Sequence, residues 1–218
     1  LLALVVSPLD GVAIMLPILM VQDVVTVYSY RHSYDRRAAT ILIAGAIVGI
    51  GLAAVIASNV TTAAIEFGMG VISIGFVADA FLRKRIHAGE PRTPAIPSGI
   101  FWGACGGFAS FITNTGAPPV QAYLLPLHMK SEVYVGTMAI FFGVINLLKF
   151  IAFYMLGQLA VGKLITSSLL FPIGIASTLL GVWLVRRIRG DDFYRIIYAL
   201  VLIIGVYLAG RGLYSIIA

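Results

Sequence analysis

Six long apolar runs dominate this chain, at about 11–30, 38–58, 62–82, 132–157, 164–185 and 193–216. Each is close to the length of about twenty residues that a helix needs to cross a bilayer. Such runs in water would bury nothing, so the chain is built for lipid. Composition agrees: 218 residues are 60% hydrophobic and 11% charged, with a mean hydropathy of +1.01. An all-α polytopic membrane protein is the fold class expected.

The cations fall between the runs. Arg31, Arg36 and Arg37 separate the first two, and Arg83, Lys84, Arg85 and Arg92 follow the third. Arg186, Arg187, Arg189 and Arg195 lie around the junction of the last two. A net charge of +6 thus reads as cytoplasmic loops and not as a nucleic-acid face, so no nucleic-acid partner is expected. The 59–61 sequon falls on the outer side and reads as chance. Cys105 is the single cysteine, which excludes an intrachain disulfide and a dithiol redox pair. The start "LLALVVSP" has no Met and no basic leader, so no signal peptide is read there.

One stretch does not fit a spanning helix. "FITNTGAPPVQAY", Phe111 to Tyr123, puts Asn, two Thr, Gly and two prolines inside an apolar segment. With the last interspan loop inside, the fifth run starts outside and the fourth starts inside. Residues 98 and 128 then lie on the same side. Their separation of about thirty residues is too short for two spans. A re-entrant hairpin is expected, with half-helices over 98–112 and 118–127 joined at "TNTGAPP". Broken backbone at membrane depth survives only in protein or beside a wet cavity. Gly116 permits close approach or a positive φ. Pro118 or Pro119 suits a helix's first turn. The returning half-helix would aim free amides inward, which favours an anion. A simple kink with satisfied polar groups is the alternative.

The chain also resembles itself. At an offset of 123 residues, Leu1, Leu2, Leu4, Val12 and Met15 meet identical residues and Asp23 meets Asn146. Near 126, Phe67 meets Phe193. An odd number of crossings per unit makes the repeats inverted. Each unit would be a re-entrant helical hairpin plus three transmembrane helices, with the first hairpin missing. The first repeat covers 1–97 with its loop, and the second covers 98–218 with the hairpin at 98–128. Inverted repeats with broken helices characterise secondary transporters, whose sites lie near the midplane.

Candidate substrate-binding residues are Thr113, Asn114, Thr115 and Gly116 at the break, and Gln121 beyond it. Asn146 and Lys149 share a face of the next run, being three apart. Lys149 either draws an anion or snorkels to the outer interface. Asp23 is a candidate coupling residue, or a partner for Lys149. Interface anchoring is expected of Asp79 and Arg211, and an interfacial place for Tyr28, Tyr30 and Tyr154. Gly45 and Gly49 form a small-residue packing face. His32, His87 and His128 lie in loops, no metal-ligand spacing occurs, and no catalytic or cofactor motif is present, so no enzyme is expected.

"GGFASFITNTGAPPVQAYLLPL" followed by "GTMAIFFGVINLLKFIAFYMLGQL" resembles the second half of the sulfite exporter TauE/SafE family, and "LPILMVQDVVTVYSYRHSYDRR" its first-half counterpart. "TGAPP" departs from the family's more usual Gly-Pro or Gly-Gly turn. The resemblance implies a multi-pass permease of the bacterial inner membrane for small sulfur-containing anions such as sulfite or sulfonates. Its partners would be that anion and the bilayer, with homo-oligomerisation open. A passive anion channel and a substrate-free membrane assembly factor are the alternatives.

Overall fold

A computed structural model describes the backbone of residues 8–56, 60–82, 93–155, 161–188 and 190–217. Among them every regular element is helical: α1 (Pro8–Tyr30), α2 (Arg36–Ile56), α3 (Thr62–Leu82), α4 (Ile96–Thr113), α5 (Ala117–Leu124), α6 (Ser131–Met155), α7 (Val161–Arg187) and α8 (Gly190–Ile217). A 3₁₀ turn, Leu125–Leu127, follows α5. The long helices begin and end within a few residues of the apolar runs. The 59–61 sequon's Asn, the cations at 83–85 and 92, His87, Arg189 and the identities at Leu1, Leu2 and Leu4 lie outside the described residues.

Among the described residues six helices are long and apolar enough to cross a membrane: α2, α3, α4, α6, the 167–187 part of α7 and the 192–217 part of α8. In α1 an apolar stretch of Ile14–Tyr30 meets a shorter standard. The chain is therefore a multi-pass membrane protein.

Helices meet where small residues let backbones approach. Gly45 and Gly49 of α2 lie directly against the backbones of Ile100 and Ala104 of α4, and Gly103 and Gly107 of α4 lie against Leu42 and Ala46 of α2. Two glycines four apart on each helix thus form one reciprocal seam, as lipid-embedded helices require. Helices α3 and α8 share a second seam, with Gly70 on Ala209, Gly205 on Ser73 and Gly212 on Phe67. Arg211 is not a mere interface anchor. Its Nε lies 3.4 Å from Glu66 Oε2 across this seam.

Side-chain donors reach backbone carbonyls between α1 and α7. Near Pro17 of α1, the Ile14 carbonyl accepts a hydrogen bond of 2.6 Å from the Ser167 hydroxyl of α7. Beyond Pro172 of α7, Gln22 donates to the Gly174 carbonyl at 3.3 Å. These bonds tie α1 to α7. Asp35 caps α2 by accepting the Ala38 N–H at 2.9 Å, and its own N–H donates to Thr137 Oγ1 at 2.9 Å, which fixes α2 to α6.

Tyr28 and Tyr154 are largely exposed, as interfacial rings are. Tyr30 is not: it is 2% exposed, and its hydroxyl donates to the Val182 carbonyl at 3.4 Å. Its position at the foot of α1 beside α7 buries it, which sequence position near a span end does not reveal.

Candidate functional site: a buried lysine at a helix break

The break begins at Asn114, which adopts the left-handed conformation (φ 57°, ψ 17°) and caps α4 through its N–H to the Ser110 carbonyl at 3.1 Å. Asn is among the few side chains that accept this geometry. The positive φ therefore falls on Asn114 and not on Gly116, whose φ is −73°. Gly116 serves close approach instead. A Cβ there would sit 2.7 Å from the Ser110 Cβ. Pro118 and Pro119 fall in the first turn of α5, where their missing N–H groups leave no helical bond unmade.

The two arms form a hairpin that folds back on itself. The Tyr123 hydroxyl, near the end of α5, donates to the Ala95 carbonyl before α4 at 3.4 Å. Val120 packs against Gly106. The flanks of the break therefore return to one another.

Lys149 of α6 reaches into this hairpin and is 0% exposed. Its Nζ donates to Ser110 Oγ at 3.2 Å, to Asn146 Oδ1 at 3.3 Å, and to Asn114 Oδ1. It does not snorkel. Asn146, 3% exposed, passes its other amide group to Asp23 Oδ2 of α1 at 2.7 Å. One polar chain thus runs from a carboxylate through an amide to an ammonium and on to the break, joining α1, α6 and α4. The fully buried Phe153, in ring contact with Phe111 at 5.5 Å, and the buried Ile145 belong to the surrounding core. In such surroundings each polar contact is strengthened and each unmade one is costly.

The sequence candidates divide. Asp23, Asn114, Asn146 and Lys149 are brought together. Thr113 and Thr115 hydrogen-bond each other at the tip, and Thr113 also donates to the Ala109 carbonyl at 2.9 Å. Gly116 shapes the turn. Gln121 lies beside the Tyr134 hydroxyl on the far part of the hairpin. Ser110 is a member that sequence reasoning missed. Its signal was its place one helical turn before Asn114, on the same face. Glu66, the partner of Arg211, was missed too.

Lys149 lines neither of two cavities. A groove of about 530 Å³ runs between α1 and α6, with Asp23 in its wall and Arg31 at one end. A pocket of about 260 Å³ lies among α3, α4, α5 and α8, lined by Asp79, Trp102, Tyr123 and Tyr198. Among the described residues no three His, Cys, Asp or Glu side chains gather as a metal site.

No curated protein and no solved structure matches the chain. The family model described as Sulfite exporter TauE/SafE matches residues 1–208. Its members are membrane transporters of sulfite- and sulfonate-type anions, in keeping with a multi-pass helical chain. The chain belongs to the TauE/SafE sulfite exporter family.

Proposed function

We propose that this protein is a secondary transporter of a small sulfur oxyanion, with the anion taken up at Lys149. One observation carries the proposal. A lysine with no exposed surface is held at a helix break by neutral groups alone, and the carboxylate nearest in the polar chain is kept one amide away. An intramembrane cation is costly and rare, and where it faces a broken helix it marks a substrate path. A direct Asp23–Lys149 contact would neutralise the cation. Asn146 bridges the two instead, which leaves the ammonium's charge for an external anion.

The two halves, 1–97 and 98–218, act in this proposal as inverted repeats that rock about the cluster and give alternating access. Support comes from the Asp23–Asn146 bond, because the sequence offset equates these residues and they touch. The hairpin at 98–128 enters and leaves on the cytoplasmic side of a bacterial inner membrane. Asp23 lines the groove between α1 and α6 and is the member placed to couple transport to a proton or another cation. Thr113, Thr115 and Gly116 shape the tip around the anion, and Gln121 supports the returning arm from beside Tyr134.

Counterflow in proteoliposomes tests this. Sulfite preloaded inside should accelerate saturable uptake of labelled sulfite. An ohmic anion current without counterflow identifies a channel, and no flux of any sulfur oxyanion identifies an assembly factor.

A further inference from the structure

We propose that Asn114 is a tethered stand-in for the transported anion, and thereby sets which ligands can enter. The inference rests on Lys149 being the anion's site.

An ammonium has three N–H donors and no acceptor. At Lys149 the three acceptors are Ser110 Oγ, Asn114 Oδ1 and Asn146 Oδ1. Its inner shell is complete. An incoming anion can touch Nζ only by displacing one of them.

The three are not equally movable. Ser110 stands within α4, is 3% exposed, and has the tip glycine against its Cβ. Asn146 stands within α6 and is held from its other end by Asp23 at 2.7 Å. Asn114 belongs to no helix. It occupies the break itself, half-buried, in a left-handed conformation. Rotation of this one side chain frees a position on the ammonium without unwinding a turn of helix.

Asn114 offers the ammonium only a dipole, whereas an anion brings a full charge. In a buried site the charged partner is the stronger acceptor. A neutral hydrogen-bonding solute has no such advantage over a carboxamide already in place. Asn114 therefore selects charge: it keeps Lys149 satisfied when the site is empty, yields to an anion, and displaces it again at release.

Two substitutions separate this role from that of an ordinary ligand-binding residue. Asn114→Gly removes the amide, and glycine is the preferred residue for a left-handed helix cap. Asn114→Asp ties a carboxylate to the lysine. Two readouts follow. In the first, reductive methylation of purified protein is scored by mass spectrometry, with exposed Lys130 as the internal reference. Lys149 should resist labelling in the parent and in Asn114→Asp, and should label at least about tenfold faster in Asn114→Gly. In the second, sulfite is titrated calorimetrically under anaerobic conditions. Asn114→Gly should bind about tenfold tighter, in line with loss of one competing hydrogen bond to a charged group. Asn114→Asp should not bind.

Unchanged labelling in Asn114→Gly overturns the stand-in role, and so does weaker sulfite binding by that variant. A Lys149→Met control keeps the failures apart. If Lys149→Met binds sulfite as the parent does, the site itself is misplaced. If it loses binding while Asn114→Gly also weakens, the site stands and the stand-in does not. The labelling arm needs no ligand and tests directly whether Asn114 covers the ammonium; a parent that binds no sulfur oxyanion overturns the stand-in role together with the site.

Discussion

Asn146 donates its side-chain amide to the Asp23 carboxylate at 2.7 Å, across 123 positions of sequence. The same 123-residue offset brings Leu1, Leu2, Leu4, Val12 and Met15 onto identical residues. The amide faces both ways, accepting from Lys149 at 3.3 Å while donating to Asp23.

Replacing this bridge should therefore cost more than one bond. Asn146→Ala strands the Asp23 carboxylate and removes an acceptor from Lys149. Hydrogen bonds to charged groups are worth about 1.5–3 kcal/mol, so a loss of about 2–3 kcal/mol is expected. Thermal unfolding in detergent measures it. Asp23→Asn keeps a side-chain partner for Asn146 and should lose less than half as much. Equal losses would show that the amide does not join the two charges.

Lys149→Met replaces the ammonium with an apolar chain of similar length in a fully buried position. The protein should fold, because the apolar chain removes a buried charge and Asn114, half-buried outside any helix, can turn away. Sulfite counterflow should fall by a factor of at least about 100, as expected when a single charged contact of about 3 kcal/mol is removed. Counterflow at the parent rate would place the anion elsewhere.

The α2–α4 seam offers a matched pair of glycines two residues apart. A Cβ at Gly49 would fall 2.8 Å from the Ala104 carbonyl carbon, while one at Gly51 would meet nothing within 4 Å. Gly49→Leu should push α4 and its break off α2, costing about 3 kcal/mol and transport with it. Gly51→Leu should be stable and active. Parallel detergent melts and counterflow assays compare them, and two similar variants would refute the seam.

Glu66 and Arg211 pair at 3.4 Å across α3 and α8. Glu66 is buried and Arg211 is about a third exposed. Removing one member should hurt more than removing both. Glu66→Leu should destabilise by about 2 kcal/mol, a value reduced for the solvent that reaches Arg211. Glu66→Leu with Arg211→Leu should recover most of that loss in the same melt. A double variant as weak as the sum of the singles would mean the pair is incidental.

Much of the fold was legible because lipid imposes a simple code. Helix length, apolar content and cation placement are local properties, and they located the six long runs to within a few residues. The break at Asn114 was legible for the same reason, since Thr-Asn-Thr-Gly-Ala-Pro-Pro cannot continue a helix at membrane depth. Gly45 and Gly49 likewise announced a packing face, though not that Gly103 and Gly107 would answer it.

Partners were not legible. Lys149 alone could snorkel outward or turn inward, and one sequence cannot tell which way a long side chain leans. The inward choice depends on the hairpin folding back until Ser110 and Asn114 stand beside α6. Arg211 and Tyr30 show the same limit, each taken for an interface residue until a neighbouring helix covered it. The sequence by itself determined a multi-pass helical protein with one broken segment, because each of those features is decided within a span. Only the tertiary structure decided that the break meets a lysine, and the lysine an amide held by Asp23. The Lys149–Asn114 and Asn146–Asp23 contacts span 35 and 123 residues, and their geometry exists only once the helices pack.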